Sequence, residues 1–160
     1  HDHVLRAPSC TLGMDWRHRW SILLNLNRDI NLTDPIPEGL TMIDLQKFQN
    51  LSKIEVKNFV PKPTTLTEGQ EEAAVNLWKS DDGLTKIGVW ECTPGEFTAD
   101  RAAAGEYCHI ISGSASVKNH DGSGERHLGP GDLLVLPIGW KGSWIIHQHV
   151  RKLYILQASA

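Results

Sequence analysis

Across residues 93–139 the chain meets a turn signal about every 8 to 12 residues. The interruptions are Thr93-Pro94-Gly95, Gly105, Ser112-Gly113, Asp121-Gly122-Ser123-Gly124, Gly129-Pro130-Gly131 and Pro137-Ile138-Gly139. Helices of ordinary length need roughly 10 to 12 uninterrupted residues, so this stretch favours short strands. Residues 107–111 (YCHII) and 133–136 (LLVL) are apolar and of strand length. Residues 85–92 (TKIGVWEC) alternate, with Ile87, Val89 and Glu91 on one face and Gly88, Trp90 and Cys92 on the other. The expectation is an all-β domain.

The segments around this region read less clearly. Ser80-Asp81-Asp82-Gly83 has hairpin-turn chemistry. At Gly129-Pro130-Gly131-Asp132 glycine supplies a positive backbone angle and Asp132 can accept backbone donors. Residues 150–157 supply a last strand. Upstream, residues 54–57 alternate like a surface strand, and Val60-Pro61-Lys62-Pro63 is extended because each proline restricts its predecessor. Residues 68–75 read as one helical turn or an irregular cover. Residues 20–26 (WSILLNL) read as a strand or a short buried element, and 27–39 as a loop. Asp44 has the chemistry of an N-cap for a short segment through Leu51. The division is therefore an arm over residues 1–53, which wraps the domain or pairs with a second copy, and a β domain over 54–160.

Composition excludes several classes. Sixteen basic and 19 acidic side chains give a net charge of −3 over 160 residues, with no basic tract suited to nucleic acid or a membrane surface. No 18-residue apolar run is available for a membrane span. Cys10, Cys92 and Cys108 are odd in number and widely spaced, unlike a disulfide framework or a structural zinc site. Free thiols fit a reducing compartment, and the cytoplasm is the expected location. The terminal His1-Asp2-His3 is set aside as a tag-like sequence.

Over about residues 75–157 the chain resembles the cupin superfamily. The likeness is to the small single-domain branch of the ethanolamine-utilisation accessory protein and ureidoglycine aminohydrolase. Gly95, Glu106 and Gly113 stand at places of the first cupin motif, and Gly131, Pro137 and Gly139 at places of the second. The run Gly139-Trp140-Lys141-Gly142-Ser143-Trp144 and the pair Arg151-Lys152 before Tyr154 resemble that branch further. The resemblance implies a cupin-type jelly-roll barrel with an N-terminal arm. It also implies a metal held by three histidines and a glutamate. Here Arg101, Ala103 and Gly142 take the histidine places. Arginine is a permanent cation, and alanine and glycine offer no donor. Glu106 alone does not hold a transition metal tightly. No metal and no other cofactor is therefore expected.

Strand parity puts Glu106, Cys108 and Ile110 on one face, and Trp140, Gly142, Trp144 and Ile146 on one face of a later strand. On the last strand parity leaves two faces open, and the resemblance favours Lys152 and Tyr154 facing Glu106. The expected pocket has Glu106, Lys152 and Tyr154 as candidate catalytic groups. Arg101, Cys108, Trp90, Trp140 and Trp144 are candidate ligand contacts, with Gly142 opening space between the last two indoles. His147 and His149 read as a surface pair. Three functions stay open: a binder of a small polar metabolite, a metal-independent or weakly metal-dependent isomerase, lyase or amidohydrolase using Glu106 as acid or base, and a structural protein. A homodimer is the expected assembly.

Overall fold

A computed structural model describes residues 45–160. The readings of Cys10, residues 20–39 and the Asp44 cap lie outside the described residues, as does most of the arm. Residues 46–160 form one compact unit. Its eight strands are β1 (Val60–Pro61), β2 (Glu71–Lys79), β3 (Thr85–Cys92), β4 (Gly95–Asp100), β5 (Ala104–Asn119), β6 (Arg126–Leu128), β7 (Leu133–Leu136) and β8 (Lys141–Ala158).

The all-β expectation holds, but the jelly-roll barrel does not. The strands lie in one sheet of order β1-β2-β3-β8-β5-β6, with β4 also on β8 and β7 also on β5. The two ends of that path, β1 and β6, do not pair with each other, so the sheet is open. The physical reason lies in two strands of unusual length. β5 and β8 run 16 and 18 residues and pair with each other along most of their course. Each then shares its other edge between two short strands. β8 carries β4 on its first half and β3 on its second, while β5 carries β7 and then β6. Glycines and prolines cut the partner strands too short to circle back.

β5 survives its own turn signal, Ser112-Gly113, by bulging. The β5–β8 register shifts at Ile110/Ser112, Ser112/Ser114 and Ser114/Ala115. Gly113 sits at φ +83°, and a Cβ there would lie 2.1 Å from the His149 carbonyl oxygen. Only glycine allows that approach.

Two upstream readings are corrected. Residues 71–75, read as part of a helical turn or an irregular cover, instead open strand β2, because pairing with β3 over Glu72–Lys79 outweighs the helix preference of Glu-Glu-Ala-Ala. Residues 54–57 form no strand; the edge strand is the two-residue β1, whose Pro61 offers no donor to an outer partner. Residues 45–50 carry no regular structure, so the segment read from Asp44 to Leu51 is not a helix within the described residues. Downstream, Gly83 N–H donates to the Ser80 carbonyl at 2.9 Å, and Asp132 Oδ2 accepts from Gly129 N–H at 2.8 Å, as the turn chemistry predicts.

One face of the sheet carries the core: Trp90, Phe97, Cys108, Ile110, Val117, Trp144 and Ile146 are buried together. Phe97 and Trp144 are register partners and stack with rings 7° from parallel. Trp90 meets both edge-on.

Candidate functional site

Four neighbouring strands build the site in rows. The register aligns Ala74, Trp90, Lys152 and Ile110 across β2, β3, β8 and β5. The next row is Asn76, Gly88, Tyr154 and Cys108, and Leu156 lies opposite Glu106 in the row beyond. Lys152 and Glu106 thus sit on either side of Cys108 and lean toward each other over it. The Lys152 ammonium donates to Glu106 Oε1 at 2.6 Å and lies 3.9 Å from Cys108 Sγ. It also sits 4.5 Å above the Trp90 ring and 4.4 Å above the Trp144 ring. Two indole faces and a carboxylate make the burial of a lysine tolerable.

Arg101 arrives from the loop between β4 and β5. Its N–H donates to the Trp140 carbonyl at 2.8 Å, and its carbonyl accepts from Gly139 N–H at 2.9 Å. The Gly139-Trp140 turn therefore fixes the arginine's backbone. Arg101 Nε donates to Glu106 Oε2 at 2.8 Å, and Nη2 contacts the same oxygen. Nη1 makes only a long contact, 3.3 Å, with the Asp100 carbonyl, and the side chain is 22% exposed. One guanidinium edge is thus free to meet a guest.

These contacts set the protonation states. Burial pushes the Glu106 carboxyl up, but the Lys152 and Arg101 cations and their hydrogen bonds outweigh it and bring it down to about 2. Burial pushes Lys152 down, and the Glu106 charge overrides this and raises it. Both partners shift in the direction of a fixed ion pair. Burial pushes the Cys108 and Cys92 thiols up to about 12, which makes them poor nucleophiles. Burial, helped by the Glu106 charge, raises Tyr154.

A cavity of about 190 Å³ opens over this cluster. Trp90, Arg101, Glu106, Lys152 and Tyr154 line it, so the structure brings together five of the eight residues singled out from the sequence. Cys108 and Trp144 are fully buried and do not line it, although both touch Lys152. Trp140 stands elsewhere. Its indole lies against Gly142, where a Cβ would come within 2.4 Å of the ring, and its Nε1 donates to Asn119 Oδ1 at 2.9 Å. Gly142 therefore makes room for Trp140 rather than for a ligand.

Lys62, Glu72 and Phe97 also line the cavity and were not singled out from the sequence. Glu72 Oε2 accepts from Trp90 Nε1 at 2.7 Å and pairs with Lys62 at 2.8 Å, while Lys62 lies 4.6 Å over the Phe97 ring. Reading 71–79 as a strand would have exposed Glu72, since it alternates with Ala73 and points where Ala74 points. The Tyr154 hydroxyl has no hydrogen-bond partner among the described residues and faces the cavity. Gly88 makes its place: a Cβ there would lie 2.4 Å from Tyr154 Oη.

The family model for the EutQ-like cupin domain matches residues 79–154. The chain belongs to the cupin superfamily, in its EutQ-like branch. Among solved structures, this cupin is similar to a Pseudomonas syringae pv. tomato protein of unknown function from the DUF861 family. The two are 21% identical at a TM-score of 0.55, over 64% of this chain and 43% of that one. The chain thus spans less than half the length of that protein. The polyketide cyclase RemF from Streptomyces resistomycificus is 17% identical, over 72% of this chain and 81% of that one, at a TM-score of 0.54. The Clostridium difficile EutQ protein is 15% identical, over 56% and 70%, at a TM-score of 0.50. At these identities the likeness is one of fold. No curated protein matches the chain in sequence.

The metal that cupins commonly hold does not fit the residues present. Both Glu106 oxygens are taken by cations, and the groups around them are an ammonium, a guanidinium, indoles and a thiol held protonated. Among the described residues no group of three or more His, Cys, Asp and Glu is placed for a metal ion. What the cluster presents to a guest is fixed positive charge and one free phenol.

Proposed function

We propose that this cupin binds a small carboxylate-bearing metabolite over the Glu106 cluster. The observation that carries the reading is the double engagement of Glu106. Lys152 and Arg101 both sit on it, so the three-residue cluster keeps one positive charge after Glu106 is counted. The other lining ions, Lys62 and Glu72, cancel as a pair. An excess cation in a partly enclosed, aromatic-walled space attracts an anion more strongly than it would in water. The Arg101 edge and the Tyr154 hydroxyl supply donors for it.

Size sets the class. At about 190 Å³ the cavity holds roughly six water volumes of about 30 Å³ each. Pockets for drug-sized ligands run to about 300–1,000 Å³, so the guest is a small acid. Acid–base turnover on Glu106 is less well supported. A general acid needs a carboxyl that exchanges its proton near working pH, and Glu106 is held ionised down to about 2.

Calorimetric titration with a panel of small mono- and dicarboxylates tests the reading, with the matching amides as controls. Acids are expected to bind and amides not. Tyr154→Phe should weaken binding by about 0.5–1.5 kcal/mol, and Arg101→Ala by more. A panel in which no acid binds, or in which neither substitution matters, defeats the proposal.

A further inference from the structure

The opposite face of the sheet carries a second cluster. In β5, Ser116 has its register partners in His127 of β6 and Ile145 of β8. His147 lies two residues beyond Ile145 and so shares its face. Two imidazoles from the flanking strands therefore converge on one side chain of the middle strand. The Ser116 hydroxyl lies 2.8 Å from His127 Nδ1 and 2.7 Å from His147 Nε2. Ser116 is fully buried while both rings are exposed. Val117 and Trp144 point the other way into the core, so this cluster is separate from the cavity.

A hydroxyl has a single proton. One ring nitrogen can accept it, and the other must then donate its own N–H to the oxygen. A divalent ion removes that constraint, because it takes a lone pair from each ring. The proton on the donating ring moves to that ring's other nitrogen by tautomerisation, so binding to the neutral rings releases no proton. Both ring nitrogens already aim at one point, held there by three hydrogen-bonded strands. The hydroxyl supplies an oxygen beside them, and the exposed side leaves room for water ligands. Paired imidazoles select zinc, copper or nickel over calcium or magnesium, which want carboxylate and carbonyl oxygens. Two imidazoles and a hydroxyl are fewer strong donors than a structural zinc site uses, so the ion held here is exchangeable.

We propose that His127, His147 and Ser116 form a surface site for an imidazole-preferring divalent transition metal, with zinc as the reference ion. The test is zinc titration of the full chain after chelator treatment. It is run with His1 and His3 both replaced by alanine, since a terminal histidine pair can bind metal by itself. One zinc-binding step is expected. His127→Ala and His147→Ala should each weaken it roughly tenfold or more, and the double variant little further, because the two rings act as one unit. His149→Ala should leave it unchanged, since that ring is engaged with Glu91 at 2.8 Å. Zinc should also raise the melting temperature of the parent and of His149→Ala but not of the two single variants. Circular dichroism checks that the variants fold, and substitution of exposed rings leaves the core intact. Absence of the step in the parent, or an unchanged affinity in either single variant, overturns the proposal.

Discussion

At residue scale the fold and the site meet in one carboxylate. Glu106 is 2% exposed and holds two cations, so its replacement strands buried charge. Glu106→Gln is expected to destabilise the domain by about 3–5 kcal/mol, the range for breaking a buried pair from one side. Urea denaturation of the two proteins measures it. The pH dependence follows from the same contacts. The folded carboxyl is lowered to about 2 from an ordinary 4.5, so the unfolded chain binds its proton first as pH falls. Stability from Glu106 is therefore complete above about 4.5 and lost as pH falls toward 2. Stability curves over that window should fall less steeply for Glu106→Gln than for the parent. Equal slopes would mean that Glu106 is not held by its cations. Parity left both faces of β8 open, and it was the cupin resemblance that made Glu106 and Lys152 legible as a facing pair. It did not reveal that both oxygens of the carboxylate are already used, because that depends on how far two long side chains lean.

At the scale of elements, the long β5–β8 pair decides where everything else can sit. Its bulge depends on Gly113, where a side chain meets both a left-handed backbone and the His149 carbonyl. Gly113→Ala should cost on the order of 1–3 kcal/mol, read as a lowered midpoint in thermal or urea unfolding. Gly142 makes a sharper case. Restoring a histidine there looks, from the motif alone, like a step toward a metal site. A Cβ at that point would lie 2.0 Å from the Lys118 carbonyl oxygen and 2.4 Å from the Trp140 ring. Gly142→His is therefore expected to unfold more easily than the parent and to gain no metal in the cavity, as spectroscopy with cobalt would register. The motif glycines were legible as turn and bulge formers. That Gly142 receives an indole was not, because Trp140 precedes β8 and its ring direction is set by the turn, not by strand parity.

For the whole molecule, an open sheet packs its core on one face, and its two described thiols lie inside that core. Cys92 and Cys108 are fully buried and pushed up to about 12. Neither should react with a thiol reagent until the domain opens, so labelling followed by mass spectrometry should give both cysteines one common rate, that of global unfolding. Faster labelling of Cys108 alone would show that the cavity floor opens by itself. The alternation of apolar and polar residues and the spacing of Gly and Pro determined by themselves that the described domain is all-β, where most of its turns fall, and which residues of its own strand share a face with Glu106. These are local properties, fixed by the two-residue period of a strand and by the backbone angles each residue type allows. Only the tertiary structure decided that the sheet stays open, that Glu72 and Lys62 join the cavity, that Trp140 leaves it, and that His127 meets His147 over Ser116. Each of those depends on which distant strands pair and in what register, and pairing energy is shared between two strands, so neither strand's sequence contains it alone.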